Sequence, residues 1–466
     1  MSQSEKDWLI LFLERKITMK RTILKMIALS LASVIALAGC SKDASQQETA
    51  ETAYKSITTE EVSENAGAEG WVIVDTRLND AFNGWALDGV ARGGHIEGAV
   101  DFSANWLLTE KEGKDEILQE ALETKGILPD KNIVLYDANG TDAVAVADYL
   151  SSKGYENIYT YDVNEWASDD SKPMVQFPGY ELLVPASIVK SLIDGETPET
   201  FTEGKTVKMV EGSWGEEKES YANGHIPGAI HINTDSIEPP PAWMLADDDT
   251  LLGVMLENGI SKTDTVIVSG EAQMAAYRVA LVLRYAGVED VRVLNGGTAA
   301  WKSAGYELET ESNKPEPITD FGGEFPGNPD IVDTIEELQT MLPSQDFTLV
   351  DNRTWDEYTG KSSGYSYHDK MGRIPGAVFG YAGKTDSNSL DYFRNIDETM
   401  RNADEIIAMW QEGGIDTQNH LSFMCGSGWR AAEVLFYANV AGLDNVSLYS
   451  DGWIGWSNAG LPSETG

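Results

Sequence analysis

The stretch His420-Leu-Ser-Phe-Met-Cys425-Gly-Ser-Gly-Trp-Arg430-Ala-Ala-Glu-Val-Leu-Phe-Tyr437 decides how the chain is read. Leu421 to Met424 is a short apolar run of the kind that forms a buried strand. A Gly-rich turn follows, and then Ala432, Leu435, Phe436 and Asn439 recur at helical spacing. A lone thiol, Cys425, therefore stands where a strand hands over to a helix. The first N–H groups of a helix have no internal partners and carry partial positive charge. A loop wrapped around Cys425 can aim several such groups at the sulfur, a setting that favours the thiolate. Gly426 and Gly428 permit the backbone angles such a cradle needs, and Arg430 adds a cation on the first turn.

Two further blocks align with this one without a gap. The first runs from Ile127 through Asn132-Ile-Val-Leu-Tyr-Asp137 to Gly154, and the second from Ile260 through Thr265-Val-Ile-Val-Ser-Gly270 to Gly287. The third runs from Ile415 to Gly442. Each reads as strand, turn, helix and Gly cap, and each is followed by a second strand and a Trp: Trp166, Trp301 and Trp456. Upstream, Val72-Ile-Val-Asp75-Thr-Arg77 and Leu349-Val350-Asp351-Asn-Arg353 are strands ending in Asp-x-Arg. The middle copy keeps an acid there, Glu211, and loses the Arg. The turns Gly94-His95-Ile-Glu-Gly98-Ala99, Gly224-His225-Ile-Pro227-Gly228-Ala229 and Gly372-Arg373-Ile-Pro375-Gly376-Ala377 complete the repeat. Self-similarity at this scale marks a repeated structural unit. Strands alternating with helices imply an α/β unit with a parallel sheet, whose ligands gather at the carboxyl ends of strands.

The ordered set of an Asp-x-Arg strand, a Gly-His-Ile-Pro-Gly-Ala turn, a Cys loop and a Gly-Gly-x-x-x-Trp end resembles the rhodanese sulfurtransferases. That resemblance implies three tandem rhodanese-like domains, each a mainly parallel five-stranded sheet flanked by helices, at about residues 54–175, 180–312 and 329–466, with a linker at 313–328. It implies that Cys425 takes up sulfane sulfur as a persulfide and that Gly426, Ser427, Gly428, Trp429 and Arg430 form the persulfide- and anion-binding loop. The equivalents of Cys425 are Asp137 and Gly270, and those of Arg430 are Asp142 and Ala275, so the first two copies are expected to be non-catalytic. The Asp-x-Arg pairs are expected to fix strand ends rather than to react. Arg373 stands where the other copies have His and is a candidate contact for an anionic donor. Trp429 either walls the pocket or anchors the helix. The insertion from Trp355 to Lys370, with Tyr358, Tyr365 and Tyr367, is expected near the cleft, and a second insertion at 379–400 has no evident place.

The expected reaction moves sulfur from a small anionic donor such as thiosulfate to a thiol or cyanide acceptor. Alternatives are a 3-mercaptopyruvate sulfurtransferase and a non-enzymatic sulfane-sulfur carrier or sensor. Protein tyrosine phosphatases use Cys-x5-Arg, whereas Cys425 and Arg430 are separated by four residues, a smaller ring that suits sulfur. The five His form no metal-ligand spacing, and no metal or cofactor is expected.

Length and composition fit this picture. The chain has 466 residues, enough for about three domains, with 42% hydrophobic residues and a net charge of −42. So acidic a surface argues against nucleic acid as a partner. Near the start, Lys20, Arg21 and Lys25 precede an apolar stretch from Met26 to Ala38 that ends Leu37-Ala38-Gly39-Cys40. A basic flank, a short apolar run and small residues describe a secretory signal, and Leu-Ala-Gly-Cys resembles the lipobox of bacterial lipoproteins. Residues 1–18 read as an upstream mis-start, 19–39 as a signal peptide and 40–53 as a tether, with Cys40 lipidated. The protein is then expected outside the cytoplasm, anchored to a membrane by lipid. Of the two Cys in the chain, one goes to lipid, which leaves Cys425 with no disulfide partner in an exported protein.

Overall fold

The structure is a computed structural model that describes residues 54–466; the signal, the tether and Cys40 lie outside the described residues. Three five-stranded sheets follow one another along the chain. In the first the order is Lys55–Ser56, Ile158–Asp162, Asn132–Asp137, Trp71–Asp75, Val100–Asp101. In the second it is Ile230–Asn233, Val207–Ser213, Thr265–Ser269, Asp290–Leu294, Leu183–Val184. In the third it is Val332–Asp333, Val446–Tyr449, His420–Met424, Phe347–Asp351, Val378–Phe379. Every pairing within these sheets is parallel.

The central strands are continuous apolar runs because helices cover both faces of a parallel sheet. Ile133 to Tyr136, Val266 to Val268 and Leu421 to Met424 are all buried. The register sets Val74 against Leu135, Val210 against Val268 and Val350 against Phe423. The same two strands thus neighbour each other in every copy, and the loops after them open on equivalent ends of the three sheets.

The second and third copies share one core. The helices Gln273–Ala286 and Trp429–Val440 pack side by side, with Tyr277 edge-on to Phe436 and Tyr437 at 5.5 and 5.7 Å between ring centroids. Almost every side chain of both helices is buried. A surface helix buries one stripe; these two are buried nearly all round because each faces its own sheet and the other helix.

The insertion after Val378–Phe379 is a wedge between copies. Asp397 accepts from Asn105 of the first copy at 3.0 Å, and Asn402 donates to Asp101 at 3.1 Å. Lys125 of the first copy bonds Asp101 at 2.8 Å and also pairs with Glu405. On the other side, Gln273 of the second copy donates to Glu398 O at 3.1 Å, and the Met400 amide donates to Asn295 at 3.0 Å. The polar composition that made this segment hard to place is the composition of an inter-repeat contact.

Candidate functional site

Cys425 directly follows the strand His420–Met424 and stands at the carboxyl end of the third sheet. Three residues on, Gly428 takes φ +104 and starts the helix Trp429–Val440. The Gly428 amide donates to Cys425 Sγ at 3.2 Å. It is the one amide bonded to that sulfur among the described residues, where the sequence implied several. The carbonyls of Cys425 and Gly426 point elsewhere, accepting from the amides of Trp453 and Ile454 at 2.8 and 3.1 Å. Cys425 is only 2% exposed.

Arg430 does not project a free charge towards solvent. It is fully buried, and its Nη1 and Nη2 donate to the two carboxylate oxygens of Glu357, each at 2.9 Å. Nη2 also reaches Tyr365 Oη at 3.0 Å. Glu357 comes from the short helix Trp355–Tyr358, where it closes a capping box with Thr354. Burial pushes the Glu357 carboxyl up, but the guanidinium and the hydrogen bonds outweigh it and hold the group below the ordinary carboxylate range. The expectation that Arg430 meets a small anion directly is thereby modified: its charge is already compensated.

The first insertion forms a cover over the loop. Tyr365 lies against Gly426, and burial raises its phenol well above the ordinary value. Tyr365 packs on Tyr367 at 5.4 Å between centroids, and Tyr367 on Trp243 of the second copy at 4.9 Å. Trp429 Nε1 donates to Glu238 of the second copy at 2.6 Å. Glu238 in turn accepts from Arg278 Nε at 2.7 Å. Trp429 therefore does more than anchor its helix: it ties the loop to the neighbouring copy.

The remaining candidates have structural partners. Asp75 and Arg77 pair at 2.6 Å, and Arg77 donates to Gly94 O at 2.7 Å. Asp351 and Arg353 pair at 2.7 Å, and Arg353 donates to Gly372 O at 2.9 Å. In both copies the Arg clips its strand end to the Gly-rich turn. The His rings behave alike: His95 Nδ1 faces Phe82 O and His225 Nδ1 faces Tyr221 O, both at 2.8 Å. Arg373 is taken up by the end of the chain, donating to Gly466 O at 2.8 Å, lying 3.5 Å from Glu464 and stacking over Tyr358. That position holds the terminal segment in place.

At the equivalents of Cys425, Asp137 accepts from the Ala143 amide at 3.0 Å and serves its helix start. A side chain at Gly270 would meet Gly212 O at 2.7 Å, so the middle copy has no room for a nucleophile there. Its Glu211, without the Arg of its counterparts, is pushed by burial to about 8.

Glu357, Glu238, Arg278 and Trp243 escaped the reading of the sequence. Thr354-x-x-Glu357 is a capping-box pattern and could have flagged Glu357. The others carry no local signal, because their role arises only across the contact between copies.

The rhodanese-like domain model matches residues 58–169, 192–304 and 334–459. Thiosulfate sulfurtransferase YnjE of Escherichia coli (strain K12) is 37% identical over 388 residues, covering 83% of this chain and 86% of that protein. The 3-mercaptopyruvate sulfurtransferase of the same organism is 29% identical over 254 residues, covering 53% of this chain and 85% of that protein. Among solved structures, the anaerobic ergothioneine biosynthesis enzyme from Chlorobium limicola in complex with trimethyl histidine superposes with a TM-score of 0.83 at 35% identity, over 89% of this chain and 99% of that one. A persulfide form of EanB with ergothioneine gives the same TM-score and identity. With three matched copies, three parallel sheets and one thiol at the strand end of the last, this chain belongs to the rhodanese-like family.

Proposed function

We propose that this protein is a sulfurtransferase whose sulfur is carried on Cys425. The observation that carries the reading is the position of that thiol: it is the one Cys among the described residues, it stands at a strand end, and the Gly428 amide meets its sulfur. In the first half-reaction the Cys425 thiolate attacks the outer sulfur of thiosulfate. The S–S bond of the donor breaks and sulfite leaves with its electron pair. The persulfide rests in the loop Gly426–Arg430, a preorganised device of the oxyanion-hole type. In the second half-reaction a thiolate or cyanide takes the outer sulfur and Cys425 leaves as thiolate. Two half-reactions through a covalent intermediate give ping-pong kinetics. Mass spectrometry after exposure to thiosulfate tests this reading. One added sulfur atom mapped to Cys425, absent in Cys425→Ser, is the expected result; thiosulfate turnover by Cys425→Ser at the native rate would overturn it. 3-Mercaptopyruvate in place of thiosulfate is the matching donor comparison, since a relative of that name covers half the chain.

A second acceptor class is favoured by the cover of Tyr365, Tyr367 and Trp243, together with the trimethyl histidine complex of the structural relative. In this reading the outer sulfur passes to an imidazole carbon of a histidine betaine. The C–S bond forms as the persulfide S–S bond breaks, Cys425 leaves as thiolate, and the ring proton moves to the product. No external oxidant or reductant is needed. Sulfur-loaded protein mixed with trimethyl histidine yields a thione under this reading and none under the first.

We also propose a lipid anchor at the N-terminal cysteine. Cys40 bears lipid and holds the protein on a membrane outside the cytoplasm; radiolabelled fatty acid is incorporated by the native chain and not by Cys40→Ala.

A further inference from the structure

The non-catalytic second copy places one buried cation directly against the sulfur loop. Arg278, on the helix Gln273–Ala286, is 0% exposed. Its Nε donates to Glu238 at 2.7 Å and its Nη2 to Ser450 Oγ at 2.7 Å, while Nη1 is buried with no partner. A Cβ built on Gly428 would come within 2.8 Å of that Nη1. Gly428 is the residue whose amide meets Cys425 Sγ. The guanidinium thus buttresses the one corner of the loop that is hydrogen-bonded to sulfur. An unpartnered buried donor costs stability, and a buried charge in a low dielectric acts strongly on its neighbours.

We propose that Arg278 is a positioning residue for the sulfur loop: it holds the Gly428 corner against Cys425 and biases that sulfur towards its anionic form, with Glu238 setting how much of the charge the loop feels. The copy that lost its own nucleophile would then act electrostatically on its neighbour's. The other charged or titratable groups around the loop and the Arg278–Glu238 pair are Glu357 with Arg430, Tyr365 and Tyr367 on the cover, Asp451 beside Arg278 and Asp235 near Glu238. None of these is altered by the variants below.

The proposal rests on the reading that Cys425 carries the sulfur, and the readout separates the two. In the full chain, the rate of iodoacetamide labelling at the Cys425 peptide is followed against pH. Glu238→Gln keeps an acceptor for Trp429 Nε1 but leaves the guanidinium uncompensated, so its profile moves to lower pH than the native one. Glu238→Gln with Arg278→Met removes both charges, and its profile moves to higher pH by about one unit, read as labelling about tenfold slower on the acid side of the profile. Arg278→Lys keeps the cation and restores most of the native profile, which supplies an independent comparison should Glu238→Gln alone fail to fold. A purely structural contact would move both Glu238→Gln variants in the same direction. That outcome, or a double variant with an unmoved profile, overturns the role of Arg278. Failure of the native chain to gain sulfur from any donor overturns the sulfur reading instead, and leaves the labelling profiles standing.

Discussion

The hydroxyl of Tyr365 occupies the space that a side chain on Gly426 would need: a Cβ there would lie 1.9 Å from Tyr365 Oη. The cover and the loop are therefore fitted to each other atom to atom, and Cys425 is enclosed in the resting protein.

One consequence concerns access. Cys425 is 2% exposed, so any reagent reaches it through local opening of the cover. Tyr365→Ala is expected to speed labelling of Cys425 at neutral pH by at least about tenfold, since opening energies of loops are small compared with global stability. The mass shift of the Cys425 peptide against time measures it.

The two loop glycines should respond differently to alanine. At Gly426 the obstacle is the far end of Tyr365, so Gly426→Ala loses sulfur loading and Tyr365→Ala in the same chain restores part of it. At Gly428 the obstacle is the backbone itself, with φ +104 as well as the guanidinium of Arg278. Gly428→Ala costs about 1–3 kcal/mol of strain, and removing Arg278 does not rescue it. Persulfide loading by mass spectrometry reads both pairs.

Glu357 and Arg430 are a buried pair, and breaking such a pair from one side leaves an uncompensated charge. Glu357→Ala is expected to lower stability by about 3–5 kcal/mol, measured by chemical denaturation. Glu357→Gln with Arg430→Met is expected to lose less stability. The Glu357 carboxyl is held below its ordinary value of 4.5. Its contribution is therefore present above that pH and is lost as pH falls through the folded-state value. The native chain should lose stability in acid more steeply than the double variant.

Asp80 has the opposite sign. Burial pushes its carboxyl up to about 7, helped by the neighbouring charge of Asp397 and opposed by the Asn295 amide, which donates to it at 2.8 Å. The folded chain holds a proton that the unfolded chain releases near 3.8. This group's contribution is full below that value and falls as pH rises towards 7, at about 1.4 kcal/mol per pH unit. Asp80→Asn keeps an acceptor for Asn295 and removes the charge. Its melting temperature should exceed that of the native chain by several degrees at pH 8 and approach it at pH 4.

The sequence by itself determined the repeated unit. Apolar runs, Gly turns and Asp-x-Arg strand ends are local patterns, and each has a local physical cause: burial on both faces of a parallel sheet, backbone angles that favour Gly, an ion pair two residues apart. The same patterns put Cys425 at a strand end and left Asp137 and Gly270 in its place elsewhere. Tertiary structure alone decided what surrounds that sulfur. Arg430 reads as a free cation until Glu357, 73 positions upstream, is seen to neutralise it. Arg373 reads as a substrate contact until the end of the chain is seen to occupy it. Arg278 and Trp243 belong to a copy with no nucleophile and meet the loop only because the second and third repeats share one core. Charge compensation and packing act through space, and neighbours far apart in sequence leave no periodicity by which they could be recognised beforehand.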